Sequence, residues 1–352
     1  MQPVFRIIAD GKDITTLIND RVLLLRTTDK AGMESDDFEL TLDDRDSALA
    51  LPARGAQLEV YLGYAGQELT RLGRYTVDQI DLSGPPSTMV IRGKAADMRG
   101  TGKTIRSGSW ERSSLQQIVR DIATRNGWQP QCPVTTGIPR LDQLGESDFN
   151  FITRIAVQYG CTAKIADGAL LVLPRQAGKS ASGKDLGVVS VAIHDVRRWK
   201  FHLQDRGTVK AVQTRHQDQA TGQQNTAEVS NENAPEDIKA VFIDRHIYPN
   251  RSAAEQAAKA RLEAFKRSTA TVYLEMAGRT DLFAERMLRV HGFKDGLDGD
   301  YLIDTVTQTF TASGWDTTVQ CNGTNQGKST AKSRKTKQTK PLKADEQSKG
   351  PQ

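Results

Sequence analysis

Gly102-Lys103-Thr104 carries the lysine–threonine pair with which a phosphate-binding loop begins its helix. That chemistry needs another glycine five positions earlier, so that successive backbone amides form an anion nest at a helix start. Asp97 stands there, and Ile105-Arg106-Ser107-Gly108 does not begin a helix, so the segment reads as a polar turn. Glu146-Ser147-Asp148 offers carboxyls for acid–base cleavage of a glycan, which makes a peptidoglycan hydrolase the alternative reading. Such an enzyme holds its two carboxyls at a set separation across a cleft. Neighbouring acids at a helix entrance are more simply cap and dipole partners. The histidines (His194, His202, His216, His246, His291) include no HExxH pair or ligand cluster. Cys132, Cys161 and Cys321 are far apart without CxxC spacing, which reads as buried thiols rather than a disulfide or zinc site. No GxSxG elbow is present. No catalytic, cofactor-binding or metal-binding residue is therefore assigned, no cofactor is expected, and the chain reads as a non-enzyme.

The elements that would position any such group are mostly strands. Over residues 1–98, Phe38, Leu40 and Leu42 alternate with polar residues, as do Leu58, Val60 and Leu62, and then Tyr75 and Val77. This period of two puts one face inward and leaves the other wet. Short Gly- and Pro-containing turns such as Gly84-Pro85-Pro86 favour a meander. From residue 99 the texture changes. Leu115, Ile118, Val119, Ile122 and Ala123 fall at helical spacing behind a Ser113/Gln116 capping box, with Asn126-Gly127 as the stop. A second helix starts at Ser147 and ends at Gly160, followed by a hairpin around Asp167-Gly168. Residues 99–180 thus read as a small inserted α+β domain, with Gly178–Gly183 as a linker or exposed loop.

β-character returns over 181–323, with strands around Trp199, Ala211, Val272, Leu288, Tyr301 and Val319, a polar mobile loop at Gln217–Pro235, and a helix over 252–267 capped by Ser252 and Glu255. The fold class expected is mainly β with an α+β middle module: two antiparallel β-barrel or sandwich domains, 1–98 and 181–323, flanking 99–180. Residues 324–352 lack apolar periodicity and read as a disordered Lys-rich tail.

The 352 residues suit two or three domains, and no run approaches the roughly 20 apolar residues of a membrane helix, so no stable membrane insertion is expected. The N-terminus lacks a signal peptide pattern, so folding in a cytoplasm is expected. The net charge of +5 is misleading, because the tail from Thr324 alone carries +6 and leaves residues 1–323 at −1. Phosphate recognition needs a positive surface on the folded part, so specific nucleic-acid binding is not expected.

Two distant stretches repeat one β-unit. Gly63-Tyr64 followed by Gly73-Arg74-Tyr75-Thr76-Val77-Asp78 matches Gly292-Phe293 followed by Gly299-Asp300-Tyr301-Leu302-Ile303-Asp304. A protomer with two such units presents a doubled symmetry when it oligomerises. The segment Gln143–Gly160, together with Thr28-Asp29, Glu34-Ser35-Asp36, Gly55–Tyr64, Gly73–Asp78, Gly84-Pro85-Pro86 before Ile91-Arg92-Gly93, and Gly299–Asp304, resembles the late control protein D family over about residues 1–320. These are hubs of contractile phage tails and the related R-type pyocins. The resemblance implies tube-like β-domains and a homotrimer with pseudo-sixfold symmetry. It implies a hub that joins the hexameric tail tube, or a tube-initiator protein, to a trimeric central spike, with the tape measure protein as a further candidate partner. It also implies assembly in the bacterial cytoplasm followed by residence in the tail baseplate of a phage or pyocin particle. Similar hubs open type VI secretion spike proteins; with no long C-terminal β-helix here, a separate spike polypeptide is expected. The alternative becomes a baseplate-associated peptidoglycan hydrolase.

Overall fold

The computed structural model describes residues 1–32, 34–95, 101–166, 168–175, 186–204, 208–218, 221–232, 234 and 237–323. Asp97, Asp167, the whole expected linker at Gly178–Gly183 and the Lys-rich tail lie outside them, as do the expected borders near residues 98 and 180. The first part comprises β1 (Pro3–Ala9), β2 (Lys12–Asp13), α1 (Thr15–Ile18), β3 (Val22–Lys30), β4 (Asp37–Asp43), β5 (Gln57–Tyr64), β6 (Thr70–Ser83) and β7 (Thr88–Lys94). The alternation read from the sequence is realised: Phe38, Leu40 and Leu42 are buried, as are Leu58, Val60 and Leu62, and they meet Ile7, Leu25, Tyr75, Val77, Met89 and Ile91 in one core. The meander holds only for β5–β6–β7. β4 bypasses β5 and pairs with β7 instead, and β3 lies outside β4.

The middle part runs through a 3-10 turn at Thr101–Lys103, then β8 (Ile105–Ser114), α2 (Leu115–Asn126), β9 (Gln129–Gln131), β10 (Gly137–Ser147), α3 (Asp148–Gln158), β11 (Cys161–Ala166) and β12 (Ala169–Pro174). Leu115, Ile118, Val119 and Ile122 of α2 interlock with Phe151, Ile152 and Ile155 of α3 over Leu170 and Val172. Ser114, rather than Ser113, caps α2 by accepting from Gln117 N; Gly127 closes the helix with φ +73, a left-handed backbone that glycine adopts without strain. The long β8·β10 ribbon is not apparent in the sequence because most of its side chains are wet on both faces.

The last part contains β13 (Val188–Ala192), β14 (Val196–Leu203), β15 (Ala211–Gln217), β16 (Gln224–Ser230), β17 (Val241–Tyr248), α4 (Arg251–Arg267), β18 (Ala270–Ala277), β19 (Met287–His291), β20 (Gly299–Thr311) and β21 (Gly314–Gly323). The strand read around Ala211 joins a separate three-stranded sheet, β16-β15-β17, covered by α4. The polar loop expected at 217–235 in fact carries β16, held by backbone pairing to β15 and by Ala227, buried beside Ala254 and Ala257 of α4. α4 is capped two residues earlier than expected, by Asn250, whose side chain accepts from Ala253 N at 2.8 Å. Its Ala254, Ala257 and Ala258 are buried, and the Ala254 carbonyl accepts from the buried Thr214 hydroxyl at 2.9 Å.

Strands of the first and last parts merge into one predominantly antiparallel sheet of thirteen strands. Within it the sequence repeat proves to be a repeat of topology. The first unit runs β1-β5-β6-β7-β4-β3 and the second β13-β19-β20-β21-β18-β14, so strands of equal rank in the chain occupy equal places in space. The registers agree as well. Gln57 faces Thr76 as Met287 faces Leu302, and Ile80 faces Ile91 as Val306 faces Val319. Each long strand is broken at the same place, by a bulge at Asp78 in β6 and at Asp304 in β20. One pairing differs: β1 is antiparallel to β5, whereas β13 is parallel to β19.

Candidate functional site

The segments around Gly102 and Glu146–Asp148 serve the architecture. Gly102 is buried in the 3-10 turn, where a Cβ would lie 2.8 Å from the rings of Trp128 and Phe149; the following residues enter β8, so no helix N-terminus faces a phosphate. Glu146 pairs with Arg154 at 2.6 Å. Asp148 is fully buried, and its carboxylate accepts from Arg125 at 3.0 Å, Asn126 at 2.8 Å and Gln143 at 3.0 Å. Ser147 caps α3, Phe149 packs on Trp128, and Gly160 takes φ +68 directly after α3. The stretch Gln143–Gly160 is therefore a self-locking brace that fixes α2, α3 and β10 to one another. The three cysteines are buried and free, and burial pushes the Cys161 thiol up to about 12 and raises those of Cys132 and Cys321. Among the described residues no cluster of three or more His, Cys, Asp or Glu could hold a metal ion. No described helix is long and apolar enough to cross a membrane.

The polar group that does join distant elements lies elsewhere. Lys164 of β11 reaches out of the middle part to Asp29 of β3 at 2.5 Å, to Asp36 at 2.9 Å and to the Lys30 carbonyl at 2.9 Å. Asp29 also accepts from Ala284 N at 2.8 Å, in the loop before β19. One carboxylate thus ties the first unit, the middle part and the second unit together. Burial works against the Lys164 ammonium, yet the two aspartates outweigh it and hold its pKa above the ordinary value. Burial likewise lifts the Asp36 carboxyl to about 6, with Lys164 opposing the rise. Thr28-Asp29 and Glu34-Ser35-Asp36, which carried part of the family resemblance, lie at this junction. Lys164 was missed: between Ala163 and Ile165 its alternation reads as outward and solvated, and nothing local announces a partner on another part of the chain.

The second joint is backbone. β20 pairs β21 along one edge and splits the other, pairing β19 over Gly299–Leu302 and then β3 over Thr305–Thr311, with Phe310 facing Leu25 and Thr307 facing Thr28. Side chains follow. Phe310 and Trp315 of the second unit pack in the core of the first, with Phe310 5.2 Å from Phe5 and Trp315 5.1 Å from Tyr64. The buried Gln308 satisfies its neighbours by accepting from Trp315 Nε1 at 2.9 Å and donating to the Arg279 carbonyl at 2.7 Å. The wet face of the first unit carries a cross-strand charge ladder, Arg26–Glu39 at 3.8 Å and Arg92–Glu39 at 3.0 Å, continued by Arg92–Asp81. A surface of this kind, a wide sheet built on one repeated unit with ion pairs outward, is suited to assembly.

Comparison with known proteins agrees. The model of the phage tail baseplate hub (GPD) family matches residues 32–314. The probable baseplate hub protein of Escherichia phage P2 is 32% identical over 359 residues, covering 91% of this chain and 93% of its own length. Among solved structures, the 43 kDa tail protein of prophage MuSo2 from Shewanella oneidensis shares the fold with a TM-score of 0.69 at 16% identity, over 91% of this chain and 98% of that one. A type VI secretion system component from E. coli, described as structurally similar to the T4 bacteriophage tail proteins gp27 and gp5, shares it at a TM-score of 0.54 and 11% identity, over 91% of this chain and 76% of that one. With the family model spanning most of the chain and a curated relative matched nearly end to end, this chain belongs to the phage tail baseplate hub family.

Proposed function

We propose that this chain is a structural hub that works as a homotrimer, in which two tube-like units per protomer give a pseudo-sixfold ring. The ring would match the hexameric tail tube, or its initiator, on one side and the trimeric central spike on the other. The observation that carries this reading is the equal strand order of the two units, since three copies of a doubled unit offer six near-equivalent surfaces. The domain division that fits is 1–98 and 181–323 as the two tube-like domains and 99–180 as the inserted module. Assembly occurs in the bacterial cytoplasm before incorporation into the baseplate. The role is mechanical, a reading supported by the ion pairs that hold the acids a hydrolase would need, Glu146 to Arg154 and Asp148 to Arg125.

Light scattering on the purified full chain, alone and with its co-expressed spike, tests this. The expected complex contains three copies of the 38.8 kDa chain. A strictly monomeric chain that joins neither spike nor tail refutes the proposal. Incubation with purified peptidoglycan is expected to release no fragments.

A further inference from the structure

The two units differ in how one edge is finished, and the difference marks where a second copy of the chain fits. In the second unit the distal half of β20 is covered by β3 of the first. In the first unit the equivalent half of β6, Gln79–Ser83, pairs β7 on one side; among the described residues its other backbone edge has no strand partner. Among the described residues β14, the equivalent of β3, ends the sheet and pairs only β18. Two complementary edges are therefore open on one chain, at opposite ends of the same sheet. An open edge is a template for pairing with another chain.

Side chains at these edges are apolar where solvent would favour polar ones. Leu82 is 58% exposed, whereas Gln308 at the matching place in β20 is buried. Trp199 is 45% exposed, whereas Leu25 at the matching place in β3 is fully buried. Leu203 is 43% exposed. We propose that Gln79–Ser83 of one chain pairs antiparallel with β14 of a second copy, in the register that β20 and β3 use within the chain. Transferring that register places Ile80 opposite Leu203, Asp81 opposite His202, and Leu82 opposite Phe201. The apolar pairs then extend the core, and Asp81 and Ser83 meet His202 and Lys200 on the wet face. Contact of this kind is head to tail, and it closes into a ring when the rotation repeats. The inference rests on the ring reading above and specifies its seam.

Disulfide trapping on the full-length chain tests the register, and the buried native cysteines leave a quiet background. Asp81→Cys combined with His202→Cys should give covalent oligomers under mild oxidation, because opposed strand residues lie within disulfide reach. Asp81→Cys combined with Arg198→Cys should not, since Arg198 sits four residues along the strand, about 13 Å away. Leu82→Lys, at an exposed position, should leave the thermal transition intact yet weaken assembly about tenfold. An oligomer by light scattering that cross-links equally at both pairs, or not at Asp81/His202, or that tolerates Leu82→Lys, overturns this seam and leaves the ring reading standing. A chain that stays monomeric with its spike overturns both.

Discussion

The first and second six-strand units share strand order and bulge position, yet their surfaces have diverged in opposite ways on their two faces. Inward positions keep their character: Tyr75 and Tyr301 are both buried, as are Leu40 and Leu274, and Val60 and Val290. Outward positions do not. The first unit presents the Arg26–Glu39–Arg92–Asp81 ladder, whereas the second presents Thr305, Thr307, Thr309, Thr318 and Gln320 and carries its ion pairs elsewhere, at Arg289–Asp300 and Arg198–Glu275. Burial constrains size and polarity closely, while a solvated face is free to change. The insertions differ too. β3 and β4 are joined by a short loop, but the matching connection between β14 and β18 holds the β15–β17 sheet and α4. The comparison teaches that the unit is defined by its inner face and its bulge, and that everything else is attached to it.

The largest effect should come from the residue that carries one unit into the core of the other. Trp315→Ala removes the ring packed on Tyr64 and leaves Gln308 without its indole donor, so a loss of about 3–5 kcal/mol in denaturant unfolding is expected. A small loss there would mean that the two units do not share a core. Next, equivalent places should respond unequally: Leu25→Ala should cost about 2–5 kcal/mol, whereas Trp199→Ala on the monomer should cost about 1 kcal/mol or less. Equal costs would show that the unit containing β14 is as fully covered as the one containing β3.

A third test uses pH at the junction of the units. The Asp36 carboxyl sits at about 6 in the folded chain, against about 3.9 when unfolded. The folded state holds this proton more tightly, so the group's contribution to stability is fully present below about 4 and is lost as pH rises through about 6. Relative to Asp36→Asn, the wild-type chain should therefore lose on the order of 2 kcal/mol between pH 4 and 7, read from unfolding midpoints at each pH. A difference independent of pH would remove Asp36 from the junction's energetics. The smallest effect is expected on the wet face, where Arg92→Ala breaks exposed ion pairs and should change stability by about 1 kcal/mol or less, diminishing with salt. A large effect would mean that this charge ladder, which does not recur at the matching Lys200, Tyr273, Gln320 and Thr307 of the second unit, helps define the unit.

Much of this protein is local and therefore legible. The period-two alternation in β4 and β5, the spacing of Leu115, Ile118 and Ile122, and the stop at Gly127 each follow from residues within one or two turns or strands of one another. Even the repeat was readable from Gly73, Tyr75 and Asp78 against Gly299, Tyr301 and Asp304, because a bulge and a glycine leave their mark on the neighbouring sequence. Helix caps shifted by one or two residues at Ser114 and Asn250, since several adjacent side chains can offer the same oxygen and only backbone geometry selects one. The β8·β10 ribbon and β16 are not legible because they bury only isolated apolar residues such as Ile138 and Ala227 and are held largely by backbone hydrogen bonds, which carry no hydrophobic period. What the chain order cannot express is which edges meet. The pairing of β20 with β3, and the tie from Asp29 to Ala284 across 255 residues, depend on free edges and charges that become neighbours only after both units have folded. Sequence determined the units and their inward faces; tertiary structure decided their union, because backbone edges are alike in every strand and only packing chooses among them.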